Sequence, residues 1–349
     1  MTVNANAAVA NTSGADNASL DISAAKVATL VVDKGIAGET LGLGTLHTNT
    51  TTVNAADNIS TLTIQGSASA TTFNLSAKAN VVTGGAAADV FNVAATAASV
   101  NLNGGAGTDI LNIAINGAID PDDVENFETI NVTASGTASI ASTKADDGAN
   151  DSDLTTFNVL GGNSLTTWAH GGTVGIGLED GSDAVGLVAY DMSGYTGLTS
   201  SVRFGDEVLD QFLTVTGSAG TDTVTALYDT TGTKYARISA VETVAVSAID
   251  NAATFDLTNV TGATTINATM GAVKLTIDKL TGQTVLFDAG GTGGDLELKL
   301  TDATGTADSI NVTLDGGEDD ASQLIIADVE TVNITTKTAA AELDLSQIT

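Results

Sequence analysis

Short apolar runs with a period of two recur along the chain. Thr61–Gln65 (TLTIQ), Thr72–Ser76 (TFNLS) and Val81-Val82-Thr83 alternate or nearly so, and Val27–Asp33 (VATLVVD) is more continuously apolar. Alternation sends successive side chains to opposite faces of a strand. These runs return at intervals of about 8–12 residues, separated by Gly, Asn and Asp, with no amphipathic helical stretch between them. One tripeptide, apolar-Asn-apolar, stands out. It occurs as Phe73-Asn74-Leu75, Phe91-Asn92-Val93, Leu111-Asn112-Ile113, Ile130-Asn131-Val132, Phe157-Asn158-Val159, Ile310-Asn311-Val312 and Val332-Asn333-Ile334. The pattern predicts an all-β chain. The expected form is an elongated parallel β-solenoid or β-roll-like stack, or a series of small β modules, with an apolar interior ladder and an outer ladder of Asn. An ordinary sandwich strand with a solvent-facing Asn is the alternative.

Two kinds of turn punctuate the strands. Gly104-Gly105-Ala106-Gly107-Thr108-Asp109-Ile110-Leu111-Asn112 fits the nine-residue pattern G-G-x-G-x-D-x-U-x, in which a glycine-rich turn leads into a short strand of a calcium-binding β-roll. Gly84-Gly85-Ala86-Ala87-Ala88-Asp89 repeats it with Ala87 in place of the third glycine, and looser echoes lie at Gly217-Ser218-Ala219-Gly220-Thr221-Asp222 and at Gly305 to Asp308. The second marker is Glu-Thr before a strand: Val124–Val132 (VENFETINV), Val241–Val246 (VETVAV) and Val329–Ile334 (VETVNI). Each follows a Gly/Asp turn by about 20 residues. Its Glu either ligates an ion held by the neighbouring turn or hydrogen-bonds an adjacent coil.

These markers divide the chain into a β-repeat region over 1–160, an aromatic-richer insertion or loop subdomain over 161–210, and a second β-repeat region over 211–349 that ends mid-repeat. The middle region gathers Trp168, His170, Tyr190, Tyr195, Phe204 and the acids Glu179, Asp180 and Asp183. It reads either as an interface element or as a packing plug at a bend. Thr2-Val3-Asn4 resembles Thr331-Val332-Asn333, and Leu20–Ser23 resembles Leu343–Ser346. The chain is therefore expected to be either a piece of a longer repetitive protein or a subunit whose ends complement one another in a filament.

Charge narrows the function classes. The 349 residues hold 42 Asp plus Glu against 11 Lys plus Arg, a formal net charge of −31. Such a surface repels phosphate backbones and anionic lipid, which argues against nucleic-acid and membrane-surface partners and favours divalent cations. There is no cysteine, one proline and only 4% aromatic residues, so the interior is built from Val, Ile, Leu, Ala and Thr. No apolar run of about 20 residues is present, so no membrane insertion is expected, and no Sec-type signal peptide is read at the N-terminus.

Chemistry-bearing clusters are few. Asp146-Asp147-Gly148-Ala149-Asn150-Asp151-Ser152-Asp153 spaces oxygen ligands around a glycine, as loops that wrap Ca²⁺ do, and Asp146, Asp147, Asp151 and Asp153 are its candidate ligands. Gly316-Gly317-Glu318-Asp319-Asp320 is a second such acidic loop, and Asp120–Asp123 a weaker one. A solvated acidic turn is the alternative for each. With two histidines and no nucleophile-elbow or phosphate-binding glycine motif, no enzymatic role is expected.

The GGAGTDILN turn, its degenerate copies and the VENFETINV and VETVNI markers resemble bacterial surface-layer proteins of the RTX-containing type and the large β-strand-repeat surface proteins of Gram-negative bacteria. The resemblance covers most of the chain apart from about 161–210. It implies type I secretion, several bound Ca²⁺ ions, and assembly into a two-dimensional lattice on the outer membrane, often attached through lipopolysaccharide. By residue, it implies ion-binding roles for Asp109 with Gly104, Gly105 and Gly107, for Asp89 with Gly84 and Gly85, and for Asp222 with Gly217 and Gly220. The copies here are scattered, whereas RTX rolls string them contiguously. The expected function is a Ca²⁺-dependent, self-assembling structural protein at the bacterial cell surface. The alternatives are an adhesin segment binding a glycan or partner through 161–210, an accessory repeat domain of a secreted RTX enzyme or toxin, and an end-to-end filament subunit.

Overall fold

A computed structural model describes residues 2–4, 18–19, 27–33, 40–58, 61–78, 80–96, 100–116, 118–119, 124–134, 138–140, 156–160, 165–169, 189–206, 209, 211–228, 231–248, 250–288, 294–315, 322–337, 344 and 346–348. Among them there is no helix, and every strand pairing is parallel. Within each of the two units the described strands stack as a parallel β-solenoid, as expected. Two compact units are distinguished: 1–167 with 185–187 and 194–197, and 168–184 with 188–193 and 198–349.

In the first unit one sheet runs through Thr29–Asp33, Thr52–Ala55, Thr72–Leu75, Val90–Thr96, Ile110–Ile115, Thr129–Ala134 and Thr156–Leu160. A second runs through Thr40–Thr45, Thr61–Gln65, Val81–Thr83, Asn101–Asn103 and Val124–Glu125. The chain visits the two sheets in turn, so neighbours within a sheet are one coil apart in sequence. Register is pinned by repetition. Phe73 pairs with Phe91, Phe91 with Leu111, and Leu111 with Ile130, all pointing into the core, because a one-residue slip would turn each apolar set outward.

The outward positions carry the predicted Asn ladder. Asn92 Nδ2 donates to Asn74 Oδ1 at 2.9 Å, Asn112 to Asn92 at 2.8 Å, Asn131 to Asn112 at 2.7 Å and Asn158 to Asn131 at 2.6 Å. An amide has both a donor and an acceptor, so a column of Asn at the strand spacing of about 4.8 Å bonds along its own length. Inside, the Phe73 and Phe91 rings lie 4.7 Å apart, and Phe127 meets Phe91 edge-on at 5.0 Å. Phe91 is fully buried in this stack. Phe91→Ala should therefore cost about 3–5 kcal/mol by urea denaturation, since coils held in register cannot collapse into the cavity.

The second unit has one sheet through Thr199–Asp206, Thr221–Tyr228, Thr243–Ala248, Thr265–Met270, Thr284–Asp288, Ser309–Leu314 and Thr331–Thr336. Another runs through Gly232–Tyr235, Ala253–Asp256, Lys274–Leu280, Asp295–Leu300 and Leu324–Ile326. Asn333 donates to Asn311 at 3.0 Å, so the Asn pairing recurs here. Of the 161–210 region, 161–164, 170–188, 207–208 and 210, with His170, Glu179, Asp180 and Asp183, lie outside the described residues. Trp168 lies on the strand Leu165–Ala169. Tyr190 and Phe204 are buried in edge-on contact at 5.4 Å, and Thr199–Asp206 pairs in parallel with Thr221–Tyr228.

Candidate functional site

The glycine turns stack directly on one another. Gly84 N–H donates to Asn103 O, Gly104 N–H to Glu125 O, and Ala106 N–H to Gly85 O. The stacking leaves no room for side chains. A Cβ on Gly84 would lie 1.8 Å from Gly104 O, and one on Gly104 would lie 2.0 Å from Asn126 O. At Gly217 the corresponding distance, to Ala240 O, is 1.7 Å. The first glycine of the motif also clears the carboxylate that folds back over it, since its Cβ would come within 2.8 Å of Asp89 Oδ2 at Gly84 and 2.9 Å of Asp109 Oδ2 at Gly104. Gly107, at φ 144°, supplies a left-handed turn residue.

The acids of these turns point inward. Asp109 and Asp222 are fully buried and Asp89 nearly so. Asp89 accepts Thr71 N–H on Oδ1 and Gly85 N–H on Oδ2, both at 2.6 Å. Asp109 Oδ1 accepts Asp89 N–H at 2.6 Å, and Asp109 N–H donates in turn to Glu128 Oε2. Each carboxylate thus caps the backbone of the preceding coil, and the Glu of the second marker is the last member of the column. The second unit repeats the device. Asp222 Oδ2 accepts Ser218 N–H at 2.5 Å, its Oδ1 accepts the Ser200 hydroxyl, and Asp222 N–H donates to Glu242 Oε2 at 2.8 Å. Asp308 N–H donates to Glu330 Oε2 at 2.8 Å in a third instance. In all three copies the marker Glu hydrogen-bonds the adjacent coil, one of its two expected roles.

The two turn types are long and short solutions for one corner. From Gly104 to Asp109 the turn takes five steps, whereas from Asn126 to Glu128 it takes two. The short form reverses the chain through a left-handed residue two places before the Glu: Asn126 at φ 55°, Ala240 at 53° and Asp328 at 60°. The extra methylene of Glu suits it to reach back from the shorter corner.

Burial sets the electrostatics. Desolvation raises the Asp89 pKa against the pull of the Gly85 and Thr71 amides. Asp109 is pushed up to about 6 by burial, with the Asp89 amide opposing and the nearby Asp89 and Glu128 charges adding to the rise. Asp109 has one acceptor fewer in use than Asp89. Gly105 N–H turns to Asn103 Oδ1 at 2.9 Å, and Asp109 Oδ2 is buried without a partner.

At these corners the turn carboxylates are engaged by backbone amides and hydroxyls. Ca²⁺ takes six to eight oxygens, yet both oxygens of Asp89 and Asp222 already accept hydrogen bonds and Asp109 has one left. Gly84, Gly85, Gly104, Gly217 and Gly220 serve close stacking and amide donation; Gly220 N–H, for instance, goes to Ser218 Oγ at 3.0 Å. Among the described residues no group of three or more His, Asp or Glu side chains is placed to hold a metal ion. Asp146, Asp147, Asp151 and Asp153, with the loops at 120–123 and 316–320, lie outside the described residues.

Sequence reading missed Thr71 and Ser200 as members of these columns. Thr71 occupies the Asp place one coil before Asp89, where its Oγ1 donates to Thr50 O at 3.2 Å. A hydroxyl in place of a carboxylate hides the repeat, although the spacing of Gly66 to Phe73-Asn74 carries it. No family model matches the chain, and comparison with curated proteins and with solved structures yields no match.

Proposed function

We propose that the chain is a structural protein of the bacterial cell surface, a solenoid segment that self-associates into an ordered layer. The observation that carries this reading is the columnar use of its polar residues. Asn stacks on Asn over five coils, and Asp and Glu cap the amides of the coil before. Catalysis needs unlike groups converging on one point, whereas columns of like groups serve stacking and repeat stability. The surface location rests on the resemblance and on the composition, −31 in charge and without cysteine. Divalent cations act in this reading by neutralising acidic surfaces between copies, which otherwise repel.

The test is negative-stain microscopy and sedimentation of the purified chain, with and without Ca²⁺. Ordered sheets that form on adding Ca²⁺ and dissolve in chelator are expected. A chain that stays monomeric at millimolar Ca²⁺ and high protein concentration would refute the proposal.

A further inference from the structure

Over six strands of the Asn-bearing sheet in the first unit, the described outward positions carry no charge. On the six strands from Thr52–Ala55 to Thr156–Leu160, the outward positions whose side chains are described carry only Asn, Thr, Val, Ile, Ala and Leu. These positions are half-buried or exposed, with Asn54, Ala94 and Leu160 exposed. In the second unit the outward positions of Lys274–Leu280 and Asp295–Leu300 hold Lys274, Asp278, Asp295, Glu297 and Lys299, whereas the described outward positions of its other sheet from Thr221–Tyr228 to Ser309–Leu314 carry one acid, Asp288. Charge returns at the rim of the neutral face, at Asp57 and Lys78.

We propose that this face is the surface through which one copy of the chain packs against the same face of a second copy. The proposal rests on the lattice reading and names its lateral contact. Three features select a second copy as the occupant. Two chains that each carry −31 repel wherever their acidic surfaces meet, so they approach most easily where both are neutral. Asn92, Asn112 and Asn131 each give one N–H and one lone pair to their ladder neighbours, and an amide has two of each, so the column offers donors and acceptors alike and complements itself. In-register columns of identical residues also make flat faces, the geometry in which paired sheets interdigitate. The size fits a lattice better than a free dimer. Six strands about 4.8 Å apart and about 13 Å wide cover roughly 400 Å² on each partner, or about 800 Å² in total. A stable isolated pair needs about 1,200 Å² or more, so this contact is weak singly and effective in an array.

The experiment places two acids on the neutral face, Ala94→Glu with Thr133→Glu, and one on the second unit as a control, Thr233→Glu at an exposed position. The Asn ladder is untouched, so far-UV circular dichroism and the melting midpoint should stay close to wild type. Sedimentation velocity and negative-stain images in Ca²⁺ should then show at least a tenfold loss of self-association for the double variant and none for the control. A folded double variant that assembles like wild type overturns this interface and leaves the lattice reading standing. Failure of the wild type itself to assemble overturns both. Retention of the wild type on immobilised dextran without self-association would assign the face to a neutral glycan and overturn the proposal.

Discussion

Gly85→Ala should abolish folding or cost more than about 4 kcal/mol, the largest effect expected of any single substitution here. An added Cβ would lie 1.5 Å from Ser67 O and 2.7 Å from Ser67 C, in the backbone of the preceding coil. That coil cannot retreat, because Ala86 N–H already bonds Ser67 O at 3.2 Å and Gly66 N–H is fixed to Thr83 O. A clash between two backbones belongs to the overpacking class that gives exceptional losses. Gly44→Ala supplies the contrast. Gly44 sits at φ 65° with nothing within 4 Å of its Cβ position, so its cost is conformational alone, about 1 kcal/mol. Urea denaturation of both variants checks the pair. A Gly85→Ala protein within about 1 kcal/mol of wild type would contradict the stacked-turn arrangement.

Asp109 should show a substantial effect, and one that depends on pH. Asp109→Ala leaves the buried Asp89 N–H without an acceptor, a loss of about 1–3 kcal/mol. Asp109→Asn keeps an oxygen for that amide and removes the charge. Because burial lifts the Asp109 pKa from 3.8 to about 6, the folded state holds the proton more tightly than the unfolded one. Stability from this group is therefore full below about pH 4, falls as pH rises through 6, and is flat above, a change on the order of 2–3 kcal/mol. Relative to wild type, Asp109→Asn should gain stability between pH 4 and 7, and urea midpoints for both proteins at pH 4, 6 and 8 measure the difference with other groups cancelling. A constant difference across that range would refute a buried, proton-holding carboxylate. The same variant bears on calcium. An ion held through Asp109 would make Asp109→Asn lose any Ca²⁺-dependent rise in melting temperature, whereas a purely structural corner leaves that rise unchanged.

The strand pattern was legible because it is local. Phe73-Asn74-Leu75 and its relatives state by alternation alone which face is core, and one tripeptide per coil, 18 to 27 residues apart, puts Asn over Asn once coils stack in parallel. The Gly-Gly turns were legible as turns for the same reason. The roles of Asp89, Asp109 and Asp222 were not, because a carboxylate in G-G-x-G-x-D can turn outward to an ion or inward to an amide, and residues within the turn do not distinguish the two. Its partners are Thr71 N–H, Asp89 N–H and Ser200 Oγ, each about 20 residues distant and brought close only by stacking.

What the sequence by itself determined is the periodic part: an all-β chain, an apolar interior and a polar Asn column, since period two and a repeat of about 20 residues suffice for those. Tertiary structure alone decided that the glycines make room for the neighbouring coil, that the Glu of each Glu-Thr marker closes a column of caps, and that Asp109 keeps a buried oxygen unpaired. The physical reason is that backbone hydrogen bonds in a parallel stack run between coils. A residue's partner is therefore set by where the next coil comes to lie, which no single turn encodes.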